Sequence, residues 1–250
     1  MRTYAVIPAR YRSTRLPGKP LLNETGKYLV QHVYERASEA ASIDRVIVAT
    51  DDRRIFDAVE GFGGEAMMTS ADHATGTDRV AEVARLADAD AFVNVQGDEP
   101  EIDPEMIDAA AGLLADDRAQ VGTLAVRSAD RERFFDPNTV KVITDLDGFA
   151  LYFSRSPLPG GKRLEEWALT GGFSFLLHVG LYSFRRDFLM RFAQMPKSPL
   201  EELESLEQLR ALENGCRIKV GITDYEPIGV DTPEDYERFI NNYRTQLTSD

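Results

Sequence analysis

Residues 8–20 read Pro8-Ala9-Arg10-Tyr11-Arg12-Ser13-Thr14-Arg15-Leu16-Pro17-Gly18-Lys19-Pro20 and directly follow the run Thr3-Tyr4-Ala5-Val6-Ile7. That run has the β-branched and aromatic bias of a buried strand, so the chain leaves a first strand and enters a loop. The loop carries Arg10, Arg12, Arg15 and Lys19, four cations within ten residues of a chain whose formal net charge is -13. Phosphates need charge, forked guanidinium donors and close backbone approach. The pattern therefore points to a polyanion held at the end of the first strand, with a solvated basic loop as the plainer alternative.

Working outward, Gly26 to Ala41 reads as a helix, with Leu29, Val30, Val33 and Ala37 at helical spacing and His32 as a packing or surface residue. Arg45–Thr50 reads as a second strand, and Asp51-Asp52 can cap a helix running to Phe62. Gly63-Gly64 breaks that helix before a short third strand over residues 65–68. The β-α-β-α-β order argues for a parallel sheet with helices on both faces and ligands at the carboxyl ends of its strands.

The composition sets outer limits. Hydrophobic content of 43% with 28% charged residues is that of a soluble globular chain of one large or two small domains. An acidic chain lacks the basic face that a nucleic-acid backbone demands. The single cysteine, Cys216, excludes an intrachain disulfide framework, and no apolar run is long enough for a membrane span. A cytoplasmic protein is expected, with neither nucleic acid nor membrane as partner. A dinucleotide oxidoreductase would need Gly-x-Gly-x-x-Gly after the first strand, where this chain has its basic, proline-rich loop.

Further along, the polar stretch from Thr69 to Arg79 runs into a helix expected over Val80–Asp88, with Thr77 as its N-cap. A helix start with Gly76, Thr75 and Arg79 nearby suits an anion or a base edge. Ala91 to Gln96 reads as a deeply buried strand that stops at Gly97-Asp98-Glu99-Pro100. An aspartate presented there can hold magnesium on a nucleotide, since magnesium takes one or two carboxylates plus phosphates and waters. Alternatively, Asp98 merely begins the turn before Asp103-Pro104.

Gly122–Val126 reads as another strand, and Asp147-Gly148 joins two strand-like runs into a hairpin. A hairpin leaving the main sheet offers an edge that a second copy of the chain can cover. In the strand from Leu176 to Arg185, His178, Gly180 and Tyr182 share one face by alternation. One helix is expected from Ser198 past Arg210, with Glu204, Glu207 and Gln208 on a common side. Asp231, in Gly229-Val230-Asp231-Thr232-Pro233, can cap the last helix.

The loop Pro8-Ala9-Arg10, Ser13 and Arg15-Leu16-Pro17-Gly18-Lys19-Pro20-Leu21 resembles the signature loop of the sugar nucleotidyltransferases, specifically the CMP-Kdo synthetase family of cytidylyltransferases that activate acidic sugars. Thr75-Gly76-Thr77-Asp78-Arg79, Pro137-Asn138-Thr139-Val140-Lys141-Val142, Ala150–Arg155, His178–Arg185 and Leu200–Arg210 extend the likeness over nearly the whole chain. The resemblance implies a three-layer α/β/α nucleotide-diphospho-sugar transferase fold, Rossmann-like, with a mixed, mostly parallel sheet and a β-hairpin insertion that dimerises. It implies a single domain over 1–250, with 127–200 as the acceptor-sugar and dimerisation subregion. It implies CTP and the acidic sugar Kdo as substrates, magnesium on Asp98 and Asp231, and a homodimer. Arg10, Arg15, Lys19 and Asp98 become the catalytic set. Ala9, Arg10, Ser13, Lys19, Thr75, Gly76, Arg79 and Gln96 become the nucleotide contacts. Gln96, His178, Tyr182, Glu204 and Glu207 become the sugar contacts. Residues 156–167 depart from the family's pattern, which leaves 8-amino-Kdo or a sialic-type acid open as acceptor. A non-catalytic nucleotide-binding module is the remaining rival, although it would be expected to have lost Lys19, Asp98 or Asp231.

Overall fold

The computed structural model describes residues 1–12, 15–161 and 173–247, which form two compact units. The first comprises residues 1–111 and the segment from Pro227 onward. Its strands are β1 (Thr3–Ala9), β2 (Arg45–Thr50), β3 (Ala66–Met68) and β4 (Ala91–Asn94), all parallel, in the order β3-β2-β1-β4. The connecting helices are α1 (Leu29–Ser38), α2 (Arg53–Gly61) and α3 (Gly76–Leu86), and α4 (Pro104–Gly112) follows β4. Val6, Ile7, Ile47, Val48, Phe92 and Val93 are all buried, as expected of parallel strands covered on both faces.

From β1 the chain steps outward to β2 and β3, then returns to place β4 on the other side of β1. The order therefore reverses at β1, the kind of switch point beside whose carboxyl strand ends open α/β sheets bind ligands. The basic loop and Gly97-Asp98 leave the sheet at those ends. The closing helix Pro233–Leu247 packs Tyr236 and Phe239 against Leu29, with Leu16 of the basic loop and Leu22 just after it against the same cluster.

Two helix starts differ from expectation. The first helix begins at Leu29 because Gly26, at φ +87°, belongs to a turn rather than to the helix. The third begins at Gly76, capped by Thr75 rather than Thr77. Asp78 N–H donates to Thr75 Oγ1 (3.1 Å) and Thr75 N–H to Asp78 Oδ2 (3.0 Å), a reciprocal capping box that Thr77 cannot form. His32 is a packing residue, edge-on to Phe239 and Tyr243 and bonded to Thr25.

The second unit spans residues 112–226. Its central strand, β5 (Val121–Ser128), pairs in parallel with β9 (Ile218–Thr223) and antiparallel with β8 (Phe175–Arg185). The expected hairpin is present as β6 (Lys141–Thr144) and β7 (Ala150–Ser154), turning at Gly148, and β6 also pairs with β8. Lys141, fully buried, anchors the hairpin by donating to the carbonyls of Asp136, Thr139 and Arg155 at 2.7–2.8 Å.

The helix expected from Ser198 past Arg210 is two helices, Pro199–Glu204 and Gln208–Glu213, broken at Ser205. Ser205 sits in the left-handed region (φ 54°), which turns the chain so that Leu206 is buried. Glu204 and Glu207 consequently lie on either side of the break and do not share a helix face.

Candidate active site

The site in the first unit is assembled around Pro8. A Cβ on Gly97 would stand 2.7 Å from the Pro8 carbonyl oxygen, so no larger residue lets the end of β4 lie this close to the end of β1. On its other side Pro8 meets Gly76, whose Cβ would fall 3.3 Å from the proline ring. The basic loop, the start of α3 and the Gly97-Asp98 turn therefore converge.

Lys19 is held in a short 3-10 turn (Lys19–Leu21) that follows Gly18 at φ +69°. Its side chain is 13% exposed, and Nζ donates to Asp98 Oδ2 at 2.8 Å and to Asp231 Oδ1 at 3.0 Å. Arg15 Nη2 donates to the other oxygen of Asp231 at 3.0 Å. Asp231 reaches this point because Val230 N–H donates to the Asp98 carbonyl (2.8 Å) while the closing helix docks on α1. It does not cap that helix; Thr232 Oγ1 accepts from Asp235 N–H instead (3.2 Å). Two carboxylates thus converge on one ammonium, an oxygen set suited to a hard divalent cation. Glu99, with Oε2 buried and without a partner among the described residues, is pushed up to about 8 by burial and then by the charge of Asp98. It therefore adds little charge to the Asp98–Asp231 pair at neutral pH.

Around this centre, Arg10 Nη2 donates to the His73 carbonyl at 2.9 Å. Burial and the nearby Arg79 lower its guanidinium from the ordinary value. Thr75 and Gly76 form the start of α3. Arg79 is fully buried, and its guanidinium donates to Thr69 Oγ1 (2.7 Å), Ser70 O (3.1 Å) and Asp51 (2.9 Å), so it braces the 69–79 loop from beneath. Ala9 ends β1 and Gln96 lies just beyond β4. Ser13 lies outside the described residues.

Of the expected sugar contacts, Gln96 belongs to the first unit, and His178, Tyr182, Glu204 and Glu207 belong to the second. His178 lies edge-on to Phe153 and 5.4 Å from the Tyr182 ring, centroid to centroid. Burial pushes the imidazole down to about 3, so it is neutral, and burial together with Glu207 pushes the Tyr182 phenol up. Tyr182 and Glu207 line a shallow concavity with Phe184, Phe192 and Gln208. Glu207 is steadied by Arg210 at 3.1 Å, itself paired with the buried Glu201 at 2.9 Å. Glu204 instead fastens the end of β7, accepting from Ser154 Oγ (2.6 Å) and Arg155 N–H (3.0 Å). Two residues outside the expected set stand out. Gln208 has a buried Nε2 without a partner among the described residues, and Thr123 bonds the ring of His178 at 3.0 Å. The sequence places the first beside Glu204 and Glu207 without giving it a role, and nothing local signals the second.

Residues 4–219 match the family model described as cytidylyltransferase. The chain is 57% identical over 242 residues to the 3-deoxy-manno-octulosonate cytidylyltransferase of Syntrophotalea carbinolica, covering 95% of this chain and 97% of that one. The chain belongs to the 3-deoxy-manno-octulosonate cytidylyltransferase family. The enzyme of the same name from Geobacter sulfurreducens is 55% identical over 98% of this chain and 100% of its own. Among solved structures, a CMP:2-keto-3-deoxy-manno-octonic acid synthetase complexed with CTP superposes with a TM-score of 0.91 at 44% identity. That match covers 98% of this chain and 100% of the other. The 4-diphosphocytidyl-2C-methyl-D-erythritol synthase of Anaerococcus prevotii, 17% identical with a TM-score of 0.63 over 98% of this chain and 96% of its own, shares the fold alone. Membership in this family bears out the nucleotidyltransferase fold class expected from the sequence.

Proposed function

We propose that this chain transfers the cytidylyl group of CTP to the anomeric hydroxyl of Kdo, releasing pyrophosphate and CMP-Kdo for lipopolysaccharide or a related glycan. The observation that carries the reading is the pair Asp98 and Asp231, converging on one cation beside the basic loop of a family member. The hydroxyl oxygen bonds to the α-phosphorus, the bond from that phosphorus to the bridging oxygen breaks, and the electron pair leaves with pyrophosphate. No covalent enzyme intermediate is needed, so catalysis rests on positioning and charge neutralisation. Arg10, Arg15 and Lys19 take the triphosphate and the charge that grows on the leaving group. Asp98 and Asp231 fit magnesium, which when bound would screen the phosphates and make the attacking hydroxyl easier to deprotonate. Ala9, Ser13, Thr75, Gly76 and Gln96 contact the nucleotide, with Arg79 bracing their loop. His178, Tyr182 and Glu207 meet the sugar, and Glu204 holds the strand beside them.

Cytoplasmic residence and dimerisation complete the proposal. Strand β7 pairs only with β6 among the described residues, and Leu146, Leu151 and Leu203 are exposed in the same unit, which supports a second copy on this edge. The test of function is pyrophosphate release with each pairing of CTP or UTP with Kdo, 8-amino-Kdo or a sialic acid. Release with CTP and Kdo alone is expected. Release with another acid sugar in preference would move the acceptor, and no release with any of them would favour the non-catalytic binding module.

A further inference from the structure

Strand β8 carries a bulge opposite β5. Thr123 pairs with Tyr182 but Leu124 pairs with Val179, so the register shifts between Thr123 and Leu124. The fully buried Thr123 side chain fills the irregularity. Its hydroxyl lies 2.9 Å from the Leu181 carbonyl oxygen, 3.2 Å from that of Val179 and 3.0 Å from His178 Nε2.

A hydroxyl has one proton and two lone pairs, and a carbonyl oxygen only accepts. With two carbonyls beside it, the Thr123 proton is directed to them, and the third contact requires His178 Nε2 to be the donor. The ring is neutral, so its single proton is then fixed on Nε2 and Nδ1 is bare. Nδ1 has no protein partner among the described residues.

We infer that Thr123 is a positioning residue that locks His178 as the Nε2–H tautomer, so that Nδ1 accepts a hydrogen bond from a hydroxyl of the bound sugar. The sugar part rests on the function proposed above; the lock does not. It adds a specificity rule, because a bare Nδ1 welcomes a hydroxyl donor and turns away the carboxylate of the same acid sugar. His178 thus reads the polyol part of the acceptor.

The chain has three histidines, so nitrogen-15 NMR of the labelled full-length protein resolves their ring nitrogens, and His178→Gln identifies the relevant pair. A protonated Nε2 and an unprotonated Nδ1 at neutral pH are expected; a protonated Nδ1 would overturn the proposal, whatever the activity. Thr123→Val removes the hydroxyl and should raise the Kdo KM about tenfold, or ~1.4 kcal/mol, with the CTP KM within about twofold of wild type. Thr123→Ser should restore both the NMR signature and the KM. If Thr123→Val does not fold, Thr123→Ser and the wild-type spectrum still decide the tautomer. An Nε2–H spectrum with an unchanged Kdo KM in Thr123→Val would overturn the acceptor role of His178 while leaving the lock in place.

Discussion

Lys19 and Asp98 form an ion pair of 2.8 Å, and the same ammonium reaches Asp231 at 3.0 Å. One cation therefore holds two carboxylates that come from distant parts of the chain and would otherwise repel each other. Lys19→Met should melt below wild type without magnesium and regain more stability than wild type when millimolar magnesium is added. Turnover should fall on the order of 10²-fold or more, the scale of losing one group aimed at developing charge. Thermal melts with and without magnesium check this, and an identical magnesium response in the two proteins would contradict it.

Asp231 and Thr232 are neighbours with separate tasks, one turned to the cation cluster and the other capping the closing helix. Asp231→Asn should abolish most activity at little cost in stability. Thr232→Ala should cost about 1 kcal/mol, the usual worth of an N-cap, and retain turnover. Urea melts paired with pyrophosphate assays separate the two roles.

Gly97 is confined by the Pro8 carbonyl, so Gly97→Ala must push apart the ends of β1 and β4 and displace Asp98. A loss of ~1–3 kcal/mol is expected, as for overpacking elsewhere, together with a fall in activity. Gly112, helical and with nothing within 4 Å of its would-be Cβ, is the control. Gly112→Ala should gain ~0.5–1 kcal/mol. Denaturant melts of both variants are the check.

Burial lowers His32 to about 4 from an ordinary 6.5. Between these values the unfolded chain binds more protons than the folded one, so stability is full above about pH 6.5 and is lost as pH falls toward 4. At about 1.4 kcal/mol per pH unit, the loss is on the order of 3 kcal/mol. His178, pushed down to about 3, acts in the same direction. His32→Gln should therefore flatten, without abolishing, the decline of Tm between pH 6.5 and 4.5, and an unchanged slope would refute the assignment.

The parts of the chain whose signals are local were legible before any coordinates. An apolar run ending in a basic loop, a second ending in Gly97-Asp98, and the alternation of strands with helices gave the parallel sheet and the place where ligands gather. The cap of α3 is also readable, since Thr75 and Asp78 stand three apart as a capping box requires, whereas Thr77 has Val80 at that spacing. Other features depend on distant partners. Arg79 reads as a ligand-facing cation until Asp51 and Thr69 are seen around it. The helix break at Ser205 is a left-handed residue without glycine, and the burial of Leu206 that accompanies it leaves no mark in the periodicity. Thr123 meets His178 through a strand pairing that no local pattern encodes.

The most direct test of the whole account is pyrophosphate release from CTP with magnesium and Kdo, measured for wild type and for Asp98→Asn after confirming that both melt cooperatively. The account predicts steady release by wild type and a loss of at least ~10²-fold in the variant. Equal rates in the two would contradict the role given to the Asp98–Asp231 pair, and no release by folded wild type would contradict the cytidylyl transfer itself.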